Sequence, residues 1–191
     1  MIDSAVADQA DSDQPTRRAL FSAGVIGAAL AMAGSRSASA AANGLSEGDA
    51  ALVGFAISLE LTARDLYDAA IAAGATGQVW SVLREQHESY AQRLAGIAGI
   101  PGDIRNDEIF DALVSGFKGA TRSAAFEFEN VAAATHTELL GVVTDGAAAK
   151  SIASIIAIES RHATLLAELA GMADNYDALF HNTATALSPE A

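Results

Sequence analysis

Three glutamates and three histidines fall where a helical protein of this chain's composition should carry apolar residues. Four segments each hold a stripe stepping by three, four, three, four and three residues. The first reads Val53, Ala56, Glu60, Ala63, Tyr67, Ala70, and the second Trp80, Leu83, His87, Tyr90, Leu94, Ile97. The third reads Phe126, Glu129, Ala133, His136, Leu140, Val143, and the fourth Ile152, Ile155, Glu159, His162, Leu166, Leu169. That spacing lays each stripe along one face of a helix, turned toward its neighbours. A carboxylate held away from water without a partner costs several kcal/mol, so it pairs or ligates a cation. Carboxylates and imidazoles converging on one interior therefore point to metal chemistry. That donor set suits Fe, Mn or Zn and does not choose among them.

The elements that would position these groups can be read from the punctuation. Ser46 is a suitable N-cap for a first helix running from about residue 46 to 73, which Gly74 and Gly77 end. A second helix spans about 78 to 99 and stops before Pro101-Gly102. A third covers about 121 to 144 and ends at Asp145-Gly146, and a fourth about 147 to 171. The short joints make each flanking pair an antiparallel hairpin. About twenty residues lie between the hairpins, enough to run back along a helix of roughly 33 Å and to carry a short helix at 107 to 117. The last stretch, 172 to 191, has no sustained period and is expected to pack loosely or fray. The hairpins also repeat each other. Glu60 precedes Tyr67 by seven residues as Glu129 precedes His136, and His87-x-x-Tyr90-Ala91 answers Glu159-x-x-His162-Ala163.

Composition narrows the classes. The chain has 191 residues, is 51% hydrophobic, lacks Cys and carries a formal net charge of -13. One helix-rich domain fits this balance. The acidity argues against nucleic acid and anionic lipid as partners and favours metal cations. Residues 1–40 read as a targeting segment. Thr16-Arg17-Arg18-Ala19-Leu20-Phe21 matches the twin-arginine export pattern, a Gly/Ala-rich apolar run follows, and Ala38-Ser39-Ala40 is a small-residue cleavage pattern. The apolar run of roughly 16 residues is short of the ~20 needed to span a bilayer, so cleavage after Ala40 is favoured over an uncleaved anchor, with no stable membrane insertion thereafter. Export by the twin-arginine route places the mature chain in the periplasm or outside the cell.

Glu159-Ser160-Arg161-His162, a lone Glu on a preceding helix, and the hairpin, crossover, hairpin order resemble the ferritin-like superfamily, and more narrowly its exported members with a twin-arginine signal. The resemblance covers about residues 45 to 170 and implies an all-α, ferritin-like four-helix bundle around two metals, usually iron. Carried over residue by residue, it makes Glu60, Glu129, Glu159 and His162 ligands, with Glu159 a bridging carboxylate. Helix 2 departs from the pattern: His87 stands where a second bridging Glu belongs and Tyr90 where its His belongs. The half-site of Glu129, Glu159 and His162 is complete, and Glu60 with His87 or Tyr90 forms the other. The resemblance thus implies one iron, or an asymmetric pair, with Mn or Zn as substitutes. It also implies ferroxidase-type or peroxide-linked redox activity, with Tyr67, Tyr90 and His136 in support.

Other arrangements fit the same residues. Glu60 can pair with Arg64 one turn on. His87 and Tyr90 can form a core hydrogen-bonded pair. His136 can bond Glu60 or Glu159. The rival function is a metal-free, non-catalytic envelope or stress-related bundle acting through protein contacts, and self-association into a homo-oligomer stays open. Glu127, Glu138, Asp107 and Glu108 are expected on solvated or near-surface faces, and His181 without a role.

Overall fold

The computed structural model describes residues 44–187 and 189; the export motif and the cleavage site lie outside them. Within the described residues the protein is all-helical, with six helices packed together and no strand. They are α1 (Glu47–Ala72), α2 (Gln78–Ala98), α3 (Asp107–Gly119), α4 (Thr121–Val142), α5 (Gly146–Leu169) and α6 (Tyr176–Phe180). No helix among the described residues is long and apolar enough to cross a membrane.

Local chemistry sets the ends. Ser46 accepts from the Asp49 N–H, and Glu47 and Asp49 sit in the first turn, where the helix dipole favours carboxylates. Asp145 accepts from the N–H groups of Ala147 and Ala148 to open α5. Gly99, in the left-handed region at φ 66°, closes α2.

Cross-helix pairs fix the directions. Arg84 meets Asp68, Arg64 meets Glu88 and His87 meets Glu60, so α1 and α2 run antiparallel. His136 meets Glu159 and His162 meets Glu129, so α4 and α5 do too. Tyr67 reaches Glu129 while Glu60 faces His136, which sets α4 antiparallel to α1 and hence parallel to α2. The segment between α2 and α4 must therefore travel the length of the molecule. It does so through α3, which is pinned where the Asn106 N–H donates to Thr62 Oγ1 and where Phe117 packs on Tyr67 and Phe128.

The stripe on α1 is buried at all six positions. On α2, Tyr90 and Ile97 are only half-buried, as are Phe126 and Leu140 on α4. The α4 face instead widens to Ala125, Phe128, Ala132, Thr135 and Leu139. The cause is cover on two further sides: α3 brings Phe117 against Phe128, and the C-terminal segment returns along α4. That segment packs loosely, as expected, with no buried residue in its short helix, but it is tied down and not frayed. It forms α6, Asn182 Nδ2 donates to the Asn130 carbonyl, and the Leu187 N–H donates to Thr135 Oγ1.

Candidate metal centre

Each long helix contributes to one buried polar cluster at mid-length. α1 supplies Glu60 and Tyr67, α2 supplies His87, α4 supplies Glu129 and His136, and α5 supplies Glu159 and His162. All seven are buried, His162 being the most exposed at 6%. Small residues beside them, Ala56, Ala63, Ala91 and Ala133, let the helices close around the polar centre.

The six acidic and imidazole groups form one alternating chain. Glu159 Oε2 lies 3.0 Å from His136 Nδ1, and His136 Nε2 lies 3.4 Å from Glu60 Oε1. Glu60 Oε2 lies 2.6 Å from His87 Nδ1, and His87 Nε2 lies 3.0 Å from Glu129 Oε1. Glu129 Oε2 lies 3.3 Å from His162 Nδ1, and His162 Nε2 ends the chain 2.5 Å from Gln86 Oε1. Five of these six links are hydrogen bonds. The sixth is not: Glu60 Oε1 and His136 Nε2 are buried and have no hydrogen-bond partner among the described residues.

Electrostatics follows from this alternation. An ionised carboxylate only accepts, so an imidazole between two of them is held as a cation. Burial pulls the His87 imidazole down, but Glu129 and Glu60 outweigh it and set its pKa well above the ordinary value. His136 is likewise lowered by burial yet raised overall, mainly by Glu159, to about 9. Burial would raise Glu129, but His87 and His162 hold it well below the usual carboxylate range. Burial raises Glu159 above its ordinary value despite His136. Burial and then Glu129 push the Tyr67 phenol far up, and burial with Glu60 lifts Tyr90 to about 12.

Two sets of three donors lie close enough for each to hold one ion: His87, Glu129 and His162, and separately Glu60, His136 and Glu159. This grouping departs from the expected half-site of Glu129, Glu159 and His162. The antiparallel register of α4 on α5 sets His136 opposite Glu159 and Glu129 opposite His162, so His136 is a member of one set instead of a supporting group. Tyr90 belongs to neither; it is half-buried and meets the His87 ring edge-on at 6.2 Å between centroids. His87 and Tyr90 are thus not the expected hydrogen-bonded pair, because both His87 nitrogens are engaged by carboxylates. Nor does Glu60 pair with Arg64, which turns outward to Asp65 and Glu88. Glu138 is exposed and Glu127 half-buried. His181 is exposed, with Asp177 3.2 Å away.

The residues fit a cation. Donors separated by 3.0 and 3.3 Å, as in the first set, match neighbouring ligands on an ion with bonds of about 2.1 Å. Two histidines with one carboxylate is the donor set of many non-haem ferrous sites. In the second set the two unpartnered atoms, Glu60 Oε1 and His136 Nε2, face each other as ligand atoms do around an ion. The sequence stripes located every donor but missed Gln86, which is off the stripe, one residue before His87. No family model, curated protein or solved structure matches the chain.

Proposed function

We propose that this protein is an exported, ferritin-like four-helix bundle, formed by α1, α2, α4 and α5, that binds a transition metal at its centre, iron in the first place. One observation carries the reading: in the set of His87, Glu129 and His162, every group also has a partner outside the set. His87 Nδ1 is held by Glu60, His162 Nε2 by Gln86, and Glu129 Oε1 by the Tyr67 hydroxyl. Such outer partners orient metal ligands and select the nitrogen that binds. The set of Glu60, His136 and Glu159 is a second, weaker position, because it lacks that outer support: Glu60 Oε2 is already given to His87, and the hydrogen bonds of His136 go to Glu159, inside the set.

Bound iron would supply one-electron exchange with oxygen or peroxide, the ferroxidase-type activity that the ferritin-like resemblance implies. This chain's own residues would hold the ion, balance its charge with Glu129, exclude bulk water, and keep a proton on the Tyr67 hydroxyl beside Glu129. The test is metal analysis of the natively exported protein purified without chelator. About one iron per chain is expected, from a single set of three outward-supported ligands. No metal, and no rise in melting temperature on adding ferrous, manganous or zinc ions, would remove this reading.

A second reading, a metal-free bundle that acts through protein contacts, is favoured by the stacked Tyr176 and Phe180 rings, 71% and 74% exposed. It predicts the negative result of the same experiment.

A further inference from the structure

We propose that Gln86 is the positioning residue that decides which nitrogen of His162 meets the metal; the inference rests on the metal-binding reading above. Gln86 is half-buried on α2, and its side chain reaches across to α5. Its Oε1 lies 2.5 Å from His162 Nε2. An amide oxygen only accepts, so Nε2 carries the hydrogen. The nitrogen left for a cation is Nδ1, and it is the one turned inward, 3.3 Å from Glu129 Oε2. The hydrogen bond at one ring nitrogen fixes the role of the other.

The two histidines of this set are therefore held alike but by different chemistry. Glu60 takes the outer nitrogen of His87, and Gln86 takes the outer nitrogen of His162. Three carboxylates already share the cluster. A neutral acceptor at position 86 holds the ring without adding a fourth buried negative charge. With Gln86 removed, the His162 ring loses its tie on the outer side, and Nδ1 no longer stays aimed at Glu129.

The test uses zinc as a diamagnetic probe on the full chain with 15N-labelled histidine. In the parent protein, His162 should bind zinc through Nδ1 and keep hydrogen on Nε2, assigned by comparison with His162→Ala. Gln86→Leu should weaken zinc binding about 10- to 100-fold, the usual effect of losing such a partner. Gln86→Glu, which keeps an acceptor oxygen, should recover most of the Nδ1-bound signature. Binding through Nε2, or Gln86→Leu binding zinc as tightly as the parent, would overturn the role given to Gln86 while leaving the metal site standing. A parent protein that takes up no zinc would overturn both. Melting curves of the two variants show whether any loss is one of fold, and an unfolded Gln86→Leu chain leaves the parent's nitrogen assignment to decide.

Discussion

The Tyr67 hydroxyl donates to Glu129 Oε1 across 2.5 Å, joining α1 to α4 between fully buried side chains. The contact has a counterpart. His136 on α4 faces Glu60 on α1, as Tyr67 on α1 faces Glu129 on α4. These are the paired positions of the sequence repeat, seven residues apart in each hairpin. The two halves of the centre are thus built on one plan with different donors. Where the first half has a phenol that satisfies its carboxylate, the second has an imidazole that leaves Glu60 Oε1 without a hydrogen bond. The difference leaves two unequal groups of donors, each able to hold a cation, in a repeated frame.

Tyr67→Phe tests the link directly. The ring packs against Phe117 and stacks on His87, and phenylalanine preserves both contacts. Only the hydroxyl is lost, and Glu129 keeps His87 and His162 as partners. A loss of about 1 to 3 kcal/mol is expected for taking a hydrogen bond from a buried charged group. Urea unfolding in chelator measures it, and an unchanged midpoint would show that the bond contributes nothing net.

The cluster also predicts how stability varies with pH. The folded-state pKa of His136 is raised from 6.5 to about 9. Its contribution is then fully present below the unfolded value and is lost as pH climbs through about 9. His87, raised well above the ordinary value, adds in the same direction. The metal-free protein should therefore melt at progressively lower temperature from about pH 6.5 to about pH 9. Metal binding, which needs a free ring nitrogen, must expel protons and should tighten over the same interval. Melting temperatures with chelator and with zinc, taken across that range, should diverge. Curves that stay parallel would show that the imidazoles are not cationic in the free protein.

How far the sequence foretold this centre can be judged residue by residue. The four stripes found every carboxylate and imidazole of the cluster, because burial at helical spacing needs nothing beyond one helix. The start at Ser46 was legible for the same reason, a cap being a local device, and the breaks near 99 and 145 were legible from Pro101-Gly102 and Asp145-Gly146, though not the capping by Gly99 and Asp145 themselves. The partnerships were not. Whether Glu159 shares an ion with His162 or with His136 depends on how α4 slides along α5, and no single-helix pattern contains that register. Gln86 was invisible because it lies off the inward stripe and matters only through a side chain long enough to cross to α5. The docking of the C-terminal segment was hidden too, since it rests on isolated hydrogen bonds such as Leu187 N–H to Thr135 Oγ1, without an apolar period.

A second pH-sensitive tie stands at the far end of α1. Asp49 accepts from the Thr144 N–H at 2.8 Å and from the Thr144 hydroxyl at 2.7 Å, fastening the start of α1 to the joint between α4 and α5. The Thr144 backbone bond leads the causes that hold its pKa below the ordinary value of 3.8. A depressed carboxylate contributes stability above its unfolded pKa and loses it as pH falls through the folded one. Asp49→Ala should cost about 1 to 2 kcal/mol at neutral pH through the lost bonds, and the variant should lose less on acidification below about pH 4 than its parent. Equal acid sensitivity would show that the tie does not bear on folding.

Single substitutions at the two ends of the Glu159-x-x-His162 motif separate the two donor sets. If both residues served one ion, as their shared helix face suggests, Glu159→Gln and His162→Ala would impair binding alike. The structure gives them different partners: His162 meets Glu129, and Glu159 meets His136. With the principal ion held by His87, Glu129 and His162, His162→Ala should abolish tight binding and lower stoichiometry toward zero. Glu159→Gln should spare that ion and remove only the weaker second uptake, while releasing His136 from its strongest neighbouring charge. The double variant should match His162→Ala in tight binding. Titration with zinc, followed by metal analysis after desalting, reads both affinity and stoichiometry. Equal loss in the two single variants would mean that Glu159 and His162 ligate a common ion, and the division of the cluster into two sets would fall.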